Sequence, residues 1–419
     1  MKEFVPFVIN SNICVSSEDI VSFDSFMDAV AGNTGNSYIT WALLKELGCS
    51  VESITNHHIQ NIYSYDFNNA DRDIEIIQNE CTHIILVLQD QIRSSESYGY
   101  CLPFSPIISF LRKAQRPILV AGLGSNSLSG YDPDLYKKLS PDLIKFLKEL
   151  GELTVSIGVR GYFTEEILHN IGIDNVRVVG CPSYYETGRG RIINKKEMHD
   201  DFRYASSMLY NELEDSSVSI YLQDKQILEK AIIENIVYHK KIYVNQRIYD
   251  NILCGKYKIF SSMRSWKESF RNIDFFLSDR VHGGMVAMNS GVPVVVMNSD
   301  SRSREMCEYM NIPYFPDLHS CKDITLIFDK CDYSKMNNEY DKKMNKFVSF
   351  LAENDFQYNP LKEQTQGINV DVSIRMDNVC LLGIQNIIPF MMAYGRGAYD
   401  RIYLKYILKE RIKEKLHRC

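Results

Sequence analysis

At 419 residues the chain is longer than one hydrophobic core ordinarily supports, so two domains are expected. Its 45% hydrophobic and 24% charged content is that of a globular protein, and a net charge of −6 offers no broad basic field for nucleic acid. The eleven cysteines are scattered, with no CxxC, HExxH or clustered Cys/His spacing, which argues against a structural zinc site and suits a reducing cytoplasm.

The start, MKEFVPFVINSN, has no long apolar stretch of the kind a secretory signal needs, and no uninterrupted apolar run approaches a membrane span. Phe4 to Ile9 reads as a first strand. Gly32-Asn33-Thr34-Gly35-Asn36-Ser37 then opens a helical pattern from Tyr38 to Leu47, and this small polar loop is either an anion or sugar nest or a capped turn. His83 to Leu88 and Pro117 to Ala121 are strands separated by a helix over Phe104 to Ala114. Gly122 to Ser127 is only a partial dinucleotide fingerprint, because a polar loop follows where a helix would have to begin. An amphipathic helix over Pro141 to Leu150, a strand over Leu153 to Ile157, a helix over Phe163 to Asn170 and a strand over Val176 to Val179 continue the alternation. Arg160 falls at a strand's carboxyl end, where it is either a ligand clamp or half of a structural ion pair.

Residues 1–185 are thus expected to form one Rossmann-like domain and 186–216, rich in Gly, Asn, Asp and Lys, a connection. A second Rossmann-like domain over 217–375 begins with a strand at Val218 to Leu222, a helix at Gln226 to Tyr238 and a strand at Lys241 to Val244, with Arg247 just beyond. Its centre is residues 274–310, which read as strand, charged turn, helix, strand, charged turn, helix. In parallel sheets ligands bind beyond the carboxyl ends of strands, so Arg280, His282, Gly283, Asp300, Arg302 and Arg304 are expected along one rim. Forked guanidiniums suit a doubly anionic small molecule, and a histidine among them can move protons near neutral pH. A polar helix over Ser334 to Glu353 follows. The last segment, 376–419, ends in a tail over 396–419 with eight Lys and Arg against Asp400, Glu410 and Glu414, interleaved with apolar residues. Such a basic amphipathic helix either packs on its own domain or lies on an anionic membrane surface.

Several of these elements resemble the polysaccharide pyruvyl transferase family. The resemblance rests most specifically on Arg280-Val-His282-Gly283, with Ala287, Gly291-Val-Pro293 and Asp300 followed by a basic residue. Gly158-Val-Arg160-Gly161 with Thr164, Gly180-Cys-Pro182 and the loop Gly32-Asn33 through Asn36 are similar to further elements, so the likeness runs over roughly 25–315. Two departures are visible. Many members carry an aspartate where Asn36 stands, and a lysine where this chain has Arg302 and Arg304.

The resemblance implies a GT-B-like architecture, two α/β domains facing across a cleft. It further implies transfer of the enolpyruvyl group of phosphoenolpyruvate onto two hydroxyls of a sugar, forming a pyruvate ketal in capsule or exopolysaccharide synthesis. His282 and Arg280 would be catalytic. Arg160, Arg280, His282, Gly283, Arg302 and Arg304 would bind the donor, and Gly32, Asn33, Asn36 and Asp300 the acceptor. Asp300 has further readings, orienting an arginine or capping a helix. No cofactor and no metal is required, since phosphoenolpyruvate is itself the donor substrate. A lipid-linked oligosaccharide acceptor would suit the basic tail and place a cytoplasmic protein at the inner membrane face. Two alternatives stand beside this reading. One is a GT-B glycosyltransferase using a nucleotide sugar, although Glu305 lacks the second glutamate eight residues on that a retaining enzyme would show; the other is a non-catalytic glycan-binding relative.

Overall fold

The computed structural model describes residues 4–10, 33–50, 54, 58–95, 102–127, 130–208, 218–223, 257–260, 263–318, 321–361 and 373–375. In the N-terminal half these are β1 (Pro6–Asn10), α1 (Thr34–Glu46), β2 (Ile59–Asn61), α2 (Asp71–Asn79), β3 (His83–Leu86), β4 (Ile92–Arg93), α3 (Phe104–Ala114), β5 (Ile118–Leu123), β6 (Ser125–Asn126), α4 (Pro141–Leu153), β7 (Ile157–Val159), α5 (Tyr162–Asn170) and β8 (Val176–Val178). Six strands pair in the order β2-β1-β3-β5-β7-β8, all parallel. The central strands are short continuous runs of branched residues, such as Ile84-Ile85-Leu86, and are buried on both faces because helices cover each side.

Local chemistry sets the helix ends. Ser140 accepts from Leu143 N at 3.2 Å with Pro141 in the first turn, so α4 starts there. That helix runs on to Leu153, where the sequence suggested a strand, and the strand itself begins only at Ile157. The intervening Thr154 bonds back to Leu150 O and Val155 is solvent-exposed, a helix terminus rather than a buried run.

The second unit holds β9 (Tyr204–Ser206), β10 (Ser219–Tyr221), β11 (Tyr257–Phe260), α6 (Met263–Glu268), β12 (Phe275–Ser278), α7 (Val281–Asn289), β13 (Val294–Val296), α8 (Ser301–Met310), α9 (Ile324–Lys330), α10 (Ser334–Glu353) and β14 (Ser373–Arg375). The strand order is β13-β12-β9-β10-β11-β14, parallel except for β14 against β11. The connection expected over 186–216 therefore contains an interior strand of the second sheet. Three residues, Tyr204-Ala205-Ser206, are too short for their periodicity to announce it. The range 217–375 is also not one spatial unit, because the end of α10 and the residues just after it, to Asn359, return to the first before β14 rejoins the second sheet. Glu353 pairs with Arg177 at 2.7 Å, Asn354 accepts from Ser156 N at 3.1 Å, and Asn359 N donates to Glu46 O at 2.9 Å.

The expected helix at 226–238, the strand at 241–244, Arg247, Gly32 and the segment 376–419 with its basic tail lie outside the described residues. Among those described, no helix is long and apolar enough to cross a membrane. The two units meet through α1 and α7, which share one core: Tyr38, Leu43 and Leu44 with Met285, Val286 and Met288. Both parallel sheets end their strands toward the same cleft, the two-domain α/β arrangement expected from the sequence.

Candidate active site

His282 lies in the first turn of α7, which follows β12 after the corner Asp279-Arg280. Gly35, in the first turn of α1, lies directly against it: a Cβ there would come within 2.8 Å of the His282 Cβ. The start of α1 is itself fixed by Asn33, whose Oδ1 accepts from Gly35 N at 2.9 Å, and by Thr34 N donating to Gln223 O at 2.8 Å. Asn36 N donates to Asn33 O and its carbonyl accepts from Asn10 Nδ2. The loop is thus a capped helix start that also borders the histidine. Gly283 is crowded, a Cβ there falling 2.1 Å from Gln223 Nε2.

Arg160 follows β7 and reaches the cleft along Gly124, where a Cβ would meet its Cδ at 2.7 Å. It is 2% exposed, and its side chain makes no hydrogen bond or ion pair among the described residues; the buried Nε is unpartnered. Arg302, on α8, donates from Nη1 to Asp90 Oδ2 at 3.0 Å and from Nη2 to Asp300 Oδ2 at 2.6 Å, while its Nε is also buried without a partner. Asp300 caps α8 through Oδ1, accepting from Ser303 N at 2.8 Å, so one carboxylate both starts the helix and orients an arginine.

Asp90 lies beyond the end of β3 and gathers the positive charges. Besides Arg302 it takes Arg93 Nη2 at 2.9 Å and Asn126 Nδ2 at 2.9 Å. Burial pushes this carboxyl up, but Arg302, Arg93 and Arg160 outweigh burial and hold it well below the usual carboxylate range. His282 feels the opposite sum. Burial and the charges of Arg160 and Arg302 lower the imidazole to about 3, with Asp90 opposing. Its Nε2 lies 3.6 Å from Cys181 Sγ.

Arg160, His282 and Arg302 thus come together, with Asn33, Asn36, Gly283 and Asp300 around them. Arg280 is the N-cap residue of α7, its N–H facing Ser278 Oγ at 3.3 Å. Arg304 is turned elsewhere: exposed, paired with Glu308 at 2.7 Å and stacked on the Tyr131 ring at 4.2 Å. It lies apart from Arg302 because two residues along a helix is a rotation of about 200°.

Four residues near the site were not assigned a place in it. Asp90 and Gln223 follow strands, the same signal that picked out Arg160. Cys181 and Glu305 carry no local signal, because each acts on a partner more than a hundred residues away. The Glu305 carboxylate accepts from Thr164 N at 2.6 Å and Thr164 Oγ1 at 2.9 Å, capping α5 from the other unit, and Gly161 leaves room for it. Burial raises this carboxyl to about 7 despite those donors.

Two α/β units thus meet with arginines from both near one histidine. A sequence model of the polysaccharide pyruvyl transferase family matches residues 33–301, most of the chain, and the protein belongs to that family of transferases. No curated protein sequence matches it. Among solved structures it is similar to a Methanocaldococcus jannaschii UDP-GlcNAc 2-epimerase in complex with UDP-GlcNAc and UDP, at 12% identity and TM-score 0.37, covering 82% of this chain and 100% of that one. It is also similar to a putative UDP-N-acetylglucosamine 2-epimerase from Listeria monocytogenes, at 11% identity and TM-score 0.36, covering 93% and 97%.

Proposed function

We propose that the protein transfers the enolpyruvyl group of phosphoenolpyruvate onto two hydroxyls of one sugar, giving a cyclic pyruvate ketal and phosphate. The observation that carries this reading is the pair of guanidiniums, buried Arg160 and half-buried Arg302, each with a buried and unpartnered Nε and both close enough to lower the His282 imidazole. Phosphoenolpyruvate carries a carboxylate and a phosphate, and forked cations from two domains match two anionic groups on a small rigid molecule.

In this scheme protonated His282 gives its proton to the methylene carbon of the donor, which becomes a methyl group. The adjacent carbon, now oxocarbenium-like, is attacked by one sugar hydroxyl; the bond to the phosphate oxygen then breaks and the second hydroxyl closes the ring. Of the two hydroxyl protons released, one restores His282 and one leaves on phosphate. The arginines stabilise charge as it gathers on the departing phosphate. Asn33, Asn36 and Asp300 border the acceptor side. A lipid-linked oligosaccharide would present such a hydroxyl pair at a membrane face, and the basic residues of 396–419 would favour that placement.

Phosphate release from phosphoenolpyruvate, measured across a panel of aryl and lipid-linked sugars with mass spectrometry of the products, tests the reading. One acceptor should gain the mass of pyruvic acid less one water, in step with phosphate release. Tight nucleotide-sugar binding with no phosphoenolpyruvate binding would overturn it in favour of a glycosyltransferase.

A further inference from the structure

The loop between β8 and the helical turn Pro182–Tyr185 passes directly behind His282. Gly180 is left-handed, at φ 81°, and a Cβ there would strike Met310 and Tyr309; Gly122, at φ 73°, leaves room for the Pro182 ring. These two glycines seat Cys181 fully buried, with its sulfur 3.6 Å from His282 Nε2 and 3.1 Å from Ser183 Oγ.

The hydrogens around this sulfur can be assigned by counting. Ser183 has one hydroxyl proton, and we place it on the shorter of its two sulfur contacts, Met285 Sδ at 2.8 Å on the same helix as His282, a thioether that carries no hydrogen and can only accept. The remaining contact of Ser183 Oγ is then an accepting one, and the group facing it is the Cys181 thiol. A thiol has a single proton as well. Once that proton is committed to Ser183, the sulfur can only accept from the imidazole, so Nε2 carries the ring hydrogen. Burial keeps the thiol protonated by pushing it up from its ordinary value. The other ring nitrogen, Nδ1, has no hydrogen-bond partner among the described residues.

We infer that Cys181 is a positioning residue for His282, holding the Nε2–H tautomer so that Nδ1 is the nitrogen that gains and delivers the reaction's proton. The inference rests on the reading of His282 as the general acid, and it deepens that reading by naming the atom. Cys181 acts through the imidazole and touches no substrate. An orienting partner of this kind fixes ring geometry and tautomer together, as neighbouring groups do for histidines at other reaction centres.

The test is nuclear magnetic resonance of the full-length protein labelled with 15N-histidine, with the His282 signals identified by their loss in H282Q. In the unsubstituted protein near neutral pH, His282 should show a protonated Nε2 and a bare Nδ1; a protonated Nδ1 would overturn the inference with no variant needed. C181A should mix the two tautomers and lower kcat roughly tenfold, leaving the donor KM within about twofold. C181S should fall on the same side, because its shorter side chain withdraws the acceptor from Nε2. An unchanged tautomer and unchanged kcat in both variants would also overturn the inference. The spectrum needs no turnover, so the outcomes separate. The expected tautomer without pyruvyl transfer would sink the functional reading and the proton delivery that rests on it while leaving the Cys181–His282 hydrogen bond standing, and transfer with the opposite tautomer would sink the Cys181 assignment alone.

Discussion

Binding of phosphoenolpyruvate should carry a proton onto the protein at neutral pH, and His282 is where it should go. In this structure the imidazole is lowered from an ordinary 6.5 to about 3, first by burial and then by Arg160 and Arg302. That drop corresponds to about 5 kcal/mol, and it leaves about one molecule in ten thousand protonated at pH 7. A general acid cannot work from that state. In the proposed reaction the donor would bring its phosphate and carboxylate to the same two arginines, offset their field and restore the preference for imidazolium. Because the bound form has the higher pKa, protons are taken up at any pH between the two values, and donor affinity falls as pH rises through the bound one. Calorimetric titration at pH 7 in two buffers of different ionisation heat reads the number of protons directly. The unsubstituted protein should take up about one proton more than H282Q, the phosphate's own ionisation being common to both. Equal uptake in the two proteins would refute the reasoning, even if both bound the donor.

Other outcomes follow from the same geometry. R160M, which removes an arginine with no competing partner, should raise the donor KM about a hundredfold or more, whereas R304A should leave it within about twofold. Glu305 is raised to about 7 when folded, so between its unfolded value near 4.5 and about 7 the folded state binds the extra proton and stability declines as pH rises. E305Q should therefore be the more stable protein at pH 8, by up to about 3 kcal/mol less what Thr164 loses as a donor, and should show no advantage at pH 4, as thermal melts at the two values would reveal. D90N strips the carboxylate shared by Arg93 and Arg302 and should cost about 2 kcal/mol or more in urea unfolding. G161A places a methyl 2.4 Å from Glu305 Cγ and should cost about 1–3 kcal/mol in the same assay.

The parts of this molecule legible in its sequence are those whose signal is local. Val294-Val295-Val296 and Ile84-Ile85-Leu86 announce buried strands, Phe104–Ala114 shows its apolar stripe, and Arg160 and Asp300 stand where chains leave strands. The sequence left Arg302 and Arg304 undivided, and the structure separates them by pairing Arg304 with Glu308, four residues on along the helix. What stayed hidden is long-range. The pairing of Arg302 with Asp90 spans 212 positions and that of Thr164 with Glu305 spans 141, and neither segment alone encodes its partner. The strand Tyr204–Ser206 was lost for a different reason, since three residues give no period and its neighbours β10 and β12 supply the order.

One ten-residue helix, α8, accounts for how a cleft between two units can hold so concentrated a charge. At successive turns it fastens to the first unit: Ser301 Oγ accepts from Ser127 N, Arg302 donates to Asp90, Glu305 caps α5, Glu308 accepts from Tyr131, and Tyr309 donates to Val178 O. Arg160 and Arg302 belong to different units and would repel each other beside a histidine if nothing opposed them. Asp90 and Asp300 supply most of the opposing charge, Glu305, raised to about 7, adds part of one, and each of the three lies on or against α8. Docking of the units and assembly of this charged cluster are therefore one event. The acids take up most of Arg302, while the side chain of Arg160 has no hydrogen-bond partner among the described residues. Loosening α8 should therefore weaken donor binding without any ligand-contacting residue being changed, and G161A tests that second consequence when its donor KM is measured beside its stability.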